Sequence, residues 1–198
     1  MAIMPHPERT LGNEADDLFK SMRNYMESDD LFSFKSLNFS SKKINIKKFK
    51  KPAKQNEILV STIIADNEAA SVEKCINGLG VKAKVKKYLH FEIDATDRLD
   101  INTIVSTDVL FNPSKEYIAN IKEESDIYRF LVRSKDDIVG QSLAQTLQDR
   151  FNLSGLKSIK KGVVWEVKIN SSRAKKDVDI ILNSHIFSNP ISQECHEY

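Results

Sequence analysis

The sequence predicts an α+β fold of two tandem β-α-β-β-α repeats, with antiparallel sheets and amphipathic helices layered on one face. Three observations carry this. Residues 58–117 and 128–192 of the 198-residue chain run in the same order of strand, helix, two strands and helix, and each stretch closes on Asn-Pro. Within the strands, Leu89, Phe91 and Ile93 alternate with His90, Glu92 and Asp94, and Val163, Trp165, Val167 and Ile169 alternate with Glu166 and Lys168. Such alternation gives a sheet one apolar and one wet face. Between the strands, apolar residues return at helical spacing.

The repeats align Leu59-Val60 with Leu131-Val132, and Leu89–Ile93 with Val163–Val167. They also align Phe111-Asn112-Pro113 with Phe187-Ser188-Asn189-Pro190. A duplicated unit can serve as its own partner, so a pseudo-dimer within the chain is expected, its sheets meeting edge to edge or face to face. The chain divides into a tail (1–30), a lysine-rich linker (31–56) and two repeats (57–122 and 123–198).

In the tail, Pro5 and Pro7 hold the backbone extended around His6, and a helix follows. Asn13 is its expected N-cap, with Glu14, Asp16 and Asp17 in the first turn and Leu18, Met22 and Tyr25 or Met26 on one face. Residues 41–54 hold seven lysines and no acid, and bury too little apolar surface to offset the cost of ordering. The first repeat opens with a β-branched strand from Ile58 to Ala65. A helix then starts near Asp66 or Asn67, is striped by Ala69, Val72, Ile76 and Leu79, and stops at Gly80. Residues 81–94 read as two strands or one long bent one, and a second helix as Asn102 to Phe111. In the second repeat, Tyr128 to Ser134 is a strand. Leu143, Leu147 and Phe151 stripe one helix, and Ala174, Val178, Ile181 and Leu182 stripe the other, capped by Ser171 or Ser172.

Composition excludes more than it selects. A net charge of +2 selects for neither nucleic acid nor an anionic membrane. The apolar runs are too short for a membrane span and no signal-peptide pattern opens the chain, so a cytoplasmic protein is expected. Cys75 and Cys195 have no metal-ligand spacing and read as reduced bystanders, and no metal site is expected. His90, His185 and His196 read as surface histidines, with His90 on an outward strand face. Trp165 reads as core. The lysine run, whose only aromatic residue is Phe49, reads as solvated and not as a nucleic-acid patch. The two Asn-Pro pairs read as helix stops, with a shared docking surface as the second reading.

Asp136–Gly140, Ile159-Lys160-Lys161-Gly162 and Ser188-Asn189-Pro190-Ile191-Ser192 together resemble the small PurS-type subunit of phosphoribosylformylglycinamidine synthase. The chain departs from the family in having Gly162-Val163 where Gly-Lys is usual, and the first repeat keeps little beyond the pattern and its Asn-Pro. Met4-Pro5-His6-Pro7-Glu8-Arg9, followed by a helix with Leu18 and Phe19, is similar to the end of the glutaminase of the same enzyme, a triad glutamine amidotransferase. By that resemblance His6 and Glu8 are the catalytic histidine and its orienting glutamate. Residues two apart in an extended segment project to one side, which suits the pair. Neither Cys75, in mid-helix, nor Cys195 stands on the glycine-flanked turn that a nucleophile elbow needs.

The resemblance implies a non-catalytic module that bridges synthetase and glutaminase subunits, with ATP and magnesium held by the synthetase and no cofactor in this chain. Two other readings stand beside it: a fragment of a glutaminase fusion contributing His6 and Glu8, and a regulatory module that binds a metabolite between its repeats.

Overall fold

The computed structural model describes residues 16–27, 46–96 and 99–198. Met1–Ser40 and Ser41–Tyr198 are two separate compact units. In the first, α1 (Asp16–Glu27) exposes Phe19, Met22, Tyr25 and Met26 and is braced by an Arg23–Glu27 pair at 2.7 Å. Asn13 and Glu14, its expected cap and first acid, lie outside the described residues.

The second unit contains β1 (Lys47–Lys48), β2 (Asn56–Thr62), α2 (Asn67–Gly78), β3 (Ala83–Ala95), α3 (Ile101–Val105) and β4 (Glu116–Ile118). It continues with β5 (Ile127–Ser134), α4 (Ile138–Phe151), β6 (Leu156–Ile169), α5 (Ala174–Asn183) and β7 (Gln193–Glu197). Seven strands form one sheet in the order β1-β7-β5-β6-β3-β2-β4, antiparallel throughout except for β1 against β7. The fold is therefore α+β.

Each half runs β-α-β-α-β, which corrects the expected β-α-β-β-α order. Residues 81–93 contain no Gly, Pro, Asn or Asp to turn the chain, so β3 is a single strand of 13 residues. Its counterpart β6 has 14. The final strand of each half comes after the second helix. That second helix is shorter than expected in the first half: α3 ends at Val105, and Asp108 at φ 55° turns the chain out of it. In the second half His185 takes the same left-handed conformation, φ 56°, beyond α5.

The registers of the two halves agree with the sequence alignment. Leu59 faces His90 as Leu131 faces Val164, and Val60 faces Ile118 as Val132 faces Cys195. The halves meet edge to edge through β3 and β6, and the aligned residues Leu89 and Val163 are direct partners there. Exchange of the halves therefore maps β7-β5-β6-β3-β2-β4 onto itself about that pair.

Local chemistry is matched as well. Asn112 accepts through Oδ1 from the Ser114 N–H at 2.9 Å, and its own N–H donates to the Glu116 side chain at 2.8 Å. Asn189 accepts from the Ile191 N–H at 2.9 Å and donates to the Gln193 side chain at 2.8 Å. The Asn-Pro pairs are thus Asx turns that launch β4 and β7. Asp66 caps α2 by accepting from Glu68 and Ala69, and Asp137 caps α4 by accepting from Gly140.

Helices α2 to α5 lie on one face of the sheet, where burying each large apolar side chain contributes about 1.5–3 kcal/mol. Ile76, Ile104, Leu147 and Ile181, one from each of α2 to α5, are fully buried there. Trp165 is core as expected, stacked on Phe187 with ring centroids 5.4 Å apart. Leu79 and Phe151, expected on the buried stripes, are exposed because each stands at its helix's C-terminal end.

The other face carries two extended straps. Residues 119–126 lead from β4 at one edge to β5, and Ala119 and Ile121 pack on Leu59, Tyr88, Leu131 and Val164. Residues 49–55 lead from β1 at the other edge to β2, with Phe49 packed on the same cluster. The end of the lysine-rich stretch therefore joins the sheet, where a solvated linker was expected up to residue 56. Two apolar anchors explain this: Ile46 packs on the helix side and Phe49 on the strap side.

Candidate functional site on the helix-free face

Beneath the straps lie His90, Glu92 and Glu166, while the buried Asp177 stands on α5. Even-numbered residues of β3 and β6 point to this face, which the alternation marks as wet. The straps exclude water from it: His90 is 0 % exposed, Glu92 2 % and Glu166 5 %. His90 is therefore not a surface histidine, and Glu92 and Glu166 do not point into solvent. His196 is partly exposed, with its Nε2 3.4 Å from Glu194, and His185 is half-buried.

Two carboxylate clusters face each other across the dyad. Glu92 accepts from Arg133 Nη2 at 2.9 Å, and its other oxygen lies 3.5 Å from Lys160 Nζ. Glu166 accepts from Arg129 Nε at 2.8 Å, and its other oxygen lies 3.5 Å from Lys86 Nζ. Glu92 with Lys160 and Glu166 with Lys86 are aligned pairs and direct cross-strand partners. Buried charges in folded proteins are paired in this way because an isolated one is too costly to desolvate.

The arginines reach their carboxylates differently. Arg129 stands opposite Glu166 on the neighbouring strand, whereas Arg133 must cross β6 to reach β3. Gly162 makes that crossing possible. It pairs with Arg133 on one side and His90 on the other, and a Cβ there would meet Leu131 Cδ1 at 2.9 Å and Arg133 Cγ at 3.0 Å. The aligned residue in β3 is Tyr88, whose ring fills its own half. Over bare Gly162 the aromatic cover comes from Phe49, with the Arg133 guanidinium 4.9 Å from its centroid and Tyr198 stacked on it at 5.7 Å.

His90 is saturated. Arg133 Nη2 donates to Nδ1 at 3.3 Å, which leaves Nε2 protonated and donating to Glu57. Phe49 and Tyr198 meet the ring edge-on. With both nitrogens engaged and no exposure, this imidazole has no free position for proton transfer to a substrate. Burial tends to raise the Glu57 carboxyl, but hydrogen bonds from His90 and Tyr198 and the charge of Lys51 more than offset it, so its pKa lies below the ordinary 4.5. Burial also pushes the Tyr88 hydroxyl up to about 12, reinforced by the negative charge of Glu166. The cluster is built to hold straps and strands together.

A pH dependence follows. Asp66 is depressed too, where hydrogen bonds from Ala69 and Lys87 outweigh burial, and so is Glu73, held mainly by hydrogen bonds from Lys84 and the Val85 N–H. A carboxylate depressed in the folded state contributes stability that is fully present above its unfolded pKa and is lost as pH falls through the folded one. The melting temperature should therefore hold level from pH 8 to about 5.5 and fall below the unfolded values of 4.5 and 3.8. Glu57→Gln should flatten the fall. A melting temperature constant down to about pH 3 would contradict this origin of stability.

His6 and Glu8 lie outside the described residues. Cys75 is exposed on α2 and Cys195 is buried in β7, both free, and burial pushes the Cys195 thiol up to about 11, away from reactivity. Among the described residues no group of three His, Cys, Asp or Glu could hold a metal ion, and no helix is long and apolar enough to cross a membrane.

The segments that carry the family resemblance converge on one corner. Asp137 Oδ1 accepts from the Gly140 N–H at 2.8 Å while Oδ2 accepts from the Lys161 N–H at 2.5 Å, tying 136–140 to 159–162. Lys135 Nζ donates to the carbonyls of Pro190 at 3.2 Å and Ile191 at 2.7 Å, tying in the Asn-Pro turn. Sequence reasoning missed Arg129, Arg133 and Glu57. The one available signal was the alignment of Glu92 with Glu166, two acids at matched positions of lysine-rich strands.

Compared with protein-family models and with curated proteins, the chain matches none.

Proposed function

We propose that this chain is a non-catalytic bridging module of phosphoribosylformylglycinamidine synthase, holding a synthetase and a glutaminase subunit together in the cytoplasm. The observation that carries the reading is the corner at Asp137. Two of the segments likened to the small PurS-type subunit are hydrogen-bonded to each other through Asp137, and the third is held by Lys135, directly before the first, so the likeness falls on residues that determine a fold. The two halves, equal in register and turn chemistry, supply in one chain what two small subunits supply elsewhere. The buried ionisable groups are spent on one another, which suits a scaffold. ATP and magnesium belong to the synthetase in this reading. In this reading His6 and Glu8 are a glutaminase tail, and its nucleophile is neither Cys75 nor Cys195.

The experiment is co-elution. Mixed with the synthetase and glutaminase subunits, the purified chain should run with both on size exclusion. Elution of all three at their separate positions would overturn the proposal.

A further inference from the structure

The two halves share a fold but not a charge. An open groove of about 330 Å³ lies beside the strap 119–126, over the ends of β3 and β6. Its cations are Lys84, Lys86, Lys122, Arg129 and Lys168, against the carboxylates of Glu124 and Glu166. At the aligned positions across the dyad stand Ser158 for Lys84, Glu57 for Arg129, Asp94 for Lys168 and Glu197 for Asn120. With a serine in place of Lys84 and an acid in place of Lys168 the other half folds the same way, so folding does not require a cation at either of these positions.

We propose that this groove binds the phosphate group of a small phosphate-bearing ligand. Arg129 is held rigid at its base: Nε is committed to Glu166 and Nη2 to the Lys122 carbonyl. Lys84 and Lys86 are mostly exposed and border the groove from β3, Lys168 from β6 and Lys122 from the strap, so four lysines line it from three segments. Lys84 also pairs with Glu73, and Lys168 with Glu124 and Asp126. These are surface pairs, which a doubly charged phosphate outcompetes more readily than buried ones. Tyr88, Ile121 and Ile127 give the groove an apolar wall for the body of an ester.

The test is calorimetric titration of the full chain at low ionic strength with phenyl phosphate, inorganic phosphate and, as the uncharged control, phenol. Phenyl phosphate and inorganic phosphate should bind saturably and phenol should not. Lys84→Ser combined with Lys122→Ala should weaken both by about tenfold or more while the circular dichroism spectrum stays that of the folded parent. Lys157→Ala, on the other side of the dyad, should bind as the parent does. Absence of saturable binding below about 10 mM, a range typical of nonspecific contacts, would overturn the site, as would binding that the double variant leaves unchanged.

Discussion

Arg133→Met should cost about 3–5 kcal/mol, the largest loss expected from any single substitution in the sheet. The guanidinium crosses β6 over Gly162, and its Nη2 serves both Glu92 and His90. Removing it strands a carboxylate that is 2 % exposed, with only Lys160 at 3.5 Å to answer it, and leaves His90 Nδ1 without a donor. It also takes the cation from the face of Phe49, loosening the anchor of the strap. For a chain of this size the melting temperature should fall by about 10 °C. Arg133→Met combined with Glu92→Met should recover most of the loss, because no buried charge is then left unpaired. Urea unfolding of the two single variants and the double variant gives the coupling directly. A loss under about 1 kcal/mol for Arg133→Met would show that the network contributes little.

Gly140→Ala should cost about 2–4 kcal/mol, combining overpacking with loss of a helix cap. A Cβ at Gly140 would come within 3.0 Å of both Asp137 Oδ2 and the Ile159 carbonyl oxygen. One is the acceptor that fixes Lys161 and the other is sheet backbone, so neither can yield without opening the junction of α4 with β6. Gly78 is the control. It ends α2 with nothing within 4 Å of the added atom, and Gly78→Ala should stabilise by up to about 1 kcal/mol through helix propensity. Equal effects at the two glycines in chemical denaturation would refute the argument from the corner.

Much of the fold was legible because its signals are local. Asp66 announces α2 and Val163 to Ile169 alternate as a half-buried strand does, whereas the two Asn-Pro pairs, read as helix stops, are the turns that launch the last strands. What was not legible depends on partners distant in sequence. β7 is Gln-Glu-Cys-His-Glu, with no apolar alternation, and is a strand because β5 offers it an edge. His90 and Glu92 obey the alternation that marks a wet face, and only a strap folding back from residue 49 makes that face dry. Phe49 stood alone in a lysine run, where its burial depends on bare Gly162 some 110 residues further on. Arg133 looked like one more charge at a strand end, since its reach over that glycine exists only once β5, β6 and β3 are side by side. The sites of chemistry implied by resemblance, His6 and Glu8, lie outside the described residues.

The most direct test of the bridging role is a pair of rates in a reconstituted synthase. Formylglycinamidine ribonucleotide formation should be measured with glutamine and, separately, with ammonia as the nitrogen source, with and without this chain. The proposal predicts that the chain raises the glutamine-dependent rate several-fold, by holding the two subunits together at high effective concentration, and leaves the ammonia-dependent rate unchanged. A glutamine-dependent rate indifferent to the chain, or glutamine hydrolysis by the chain alone, would contradict it.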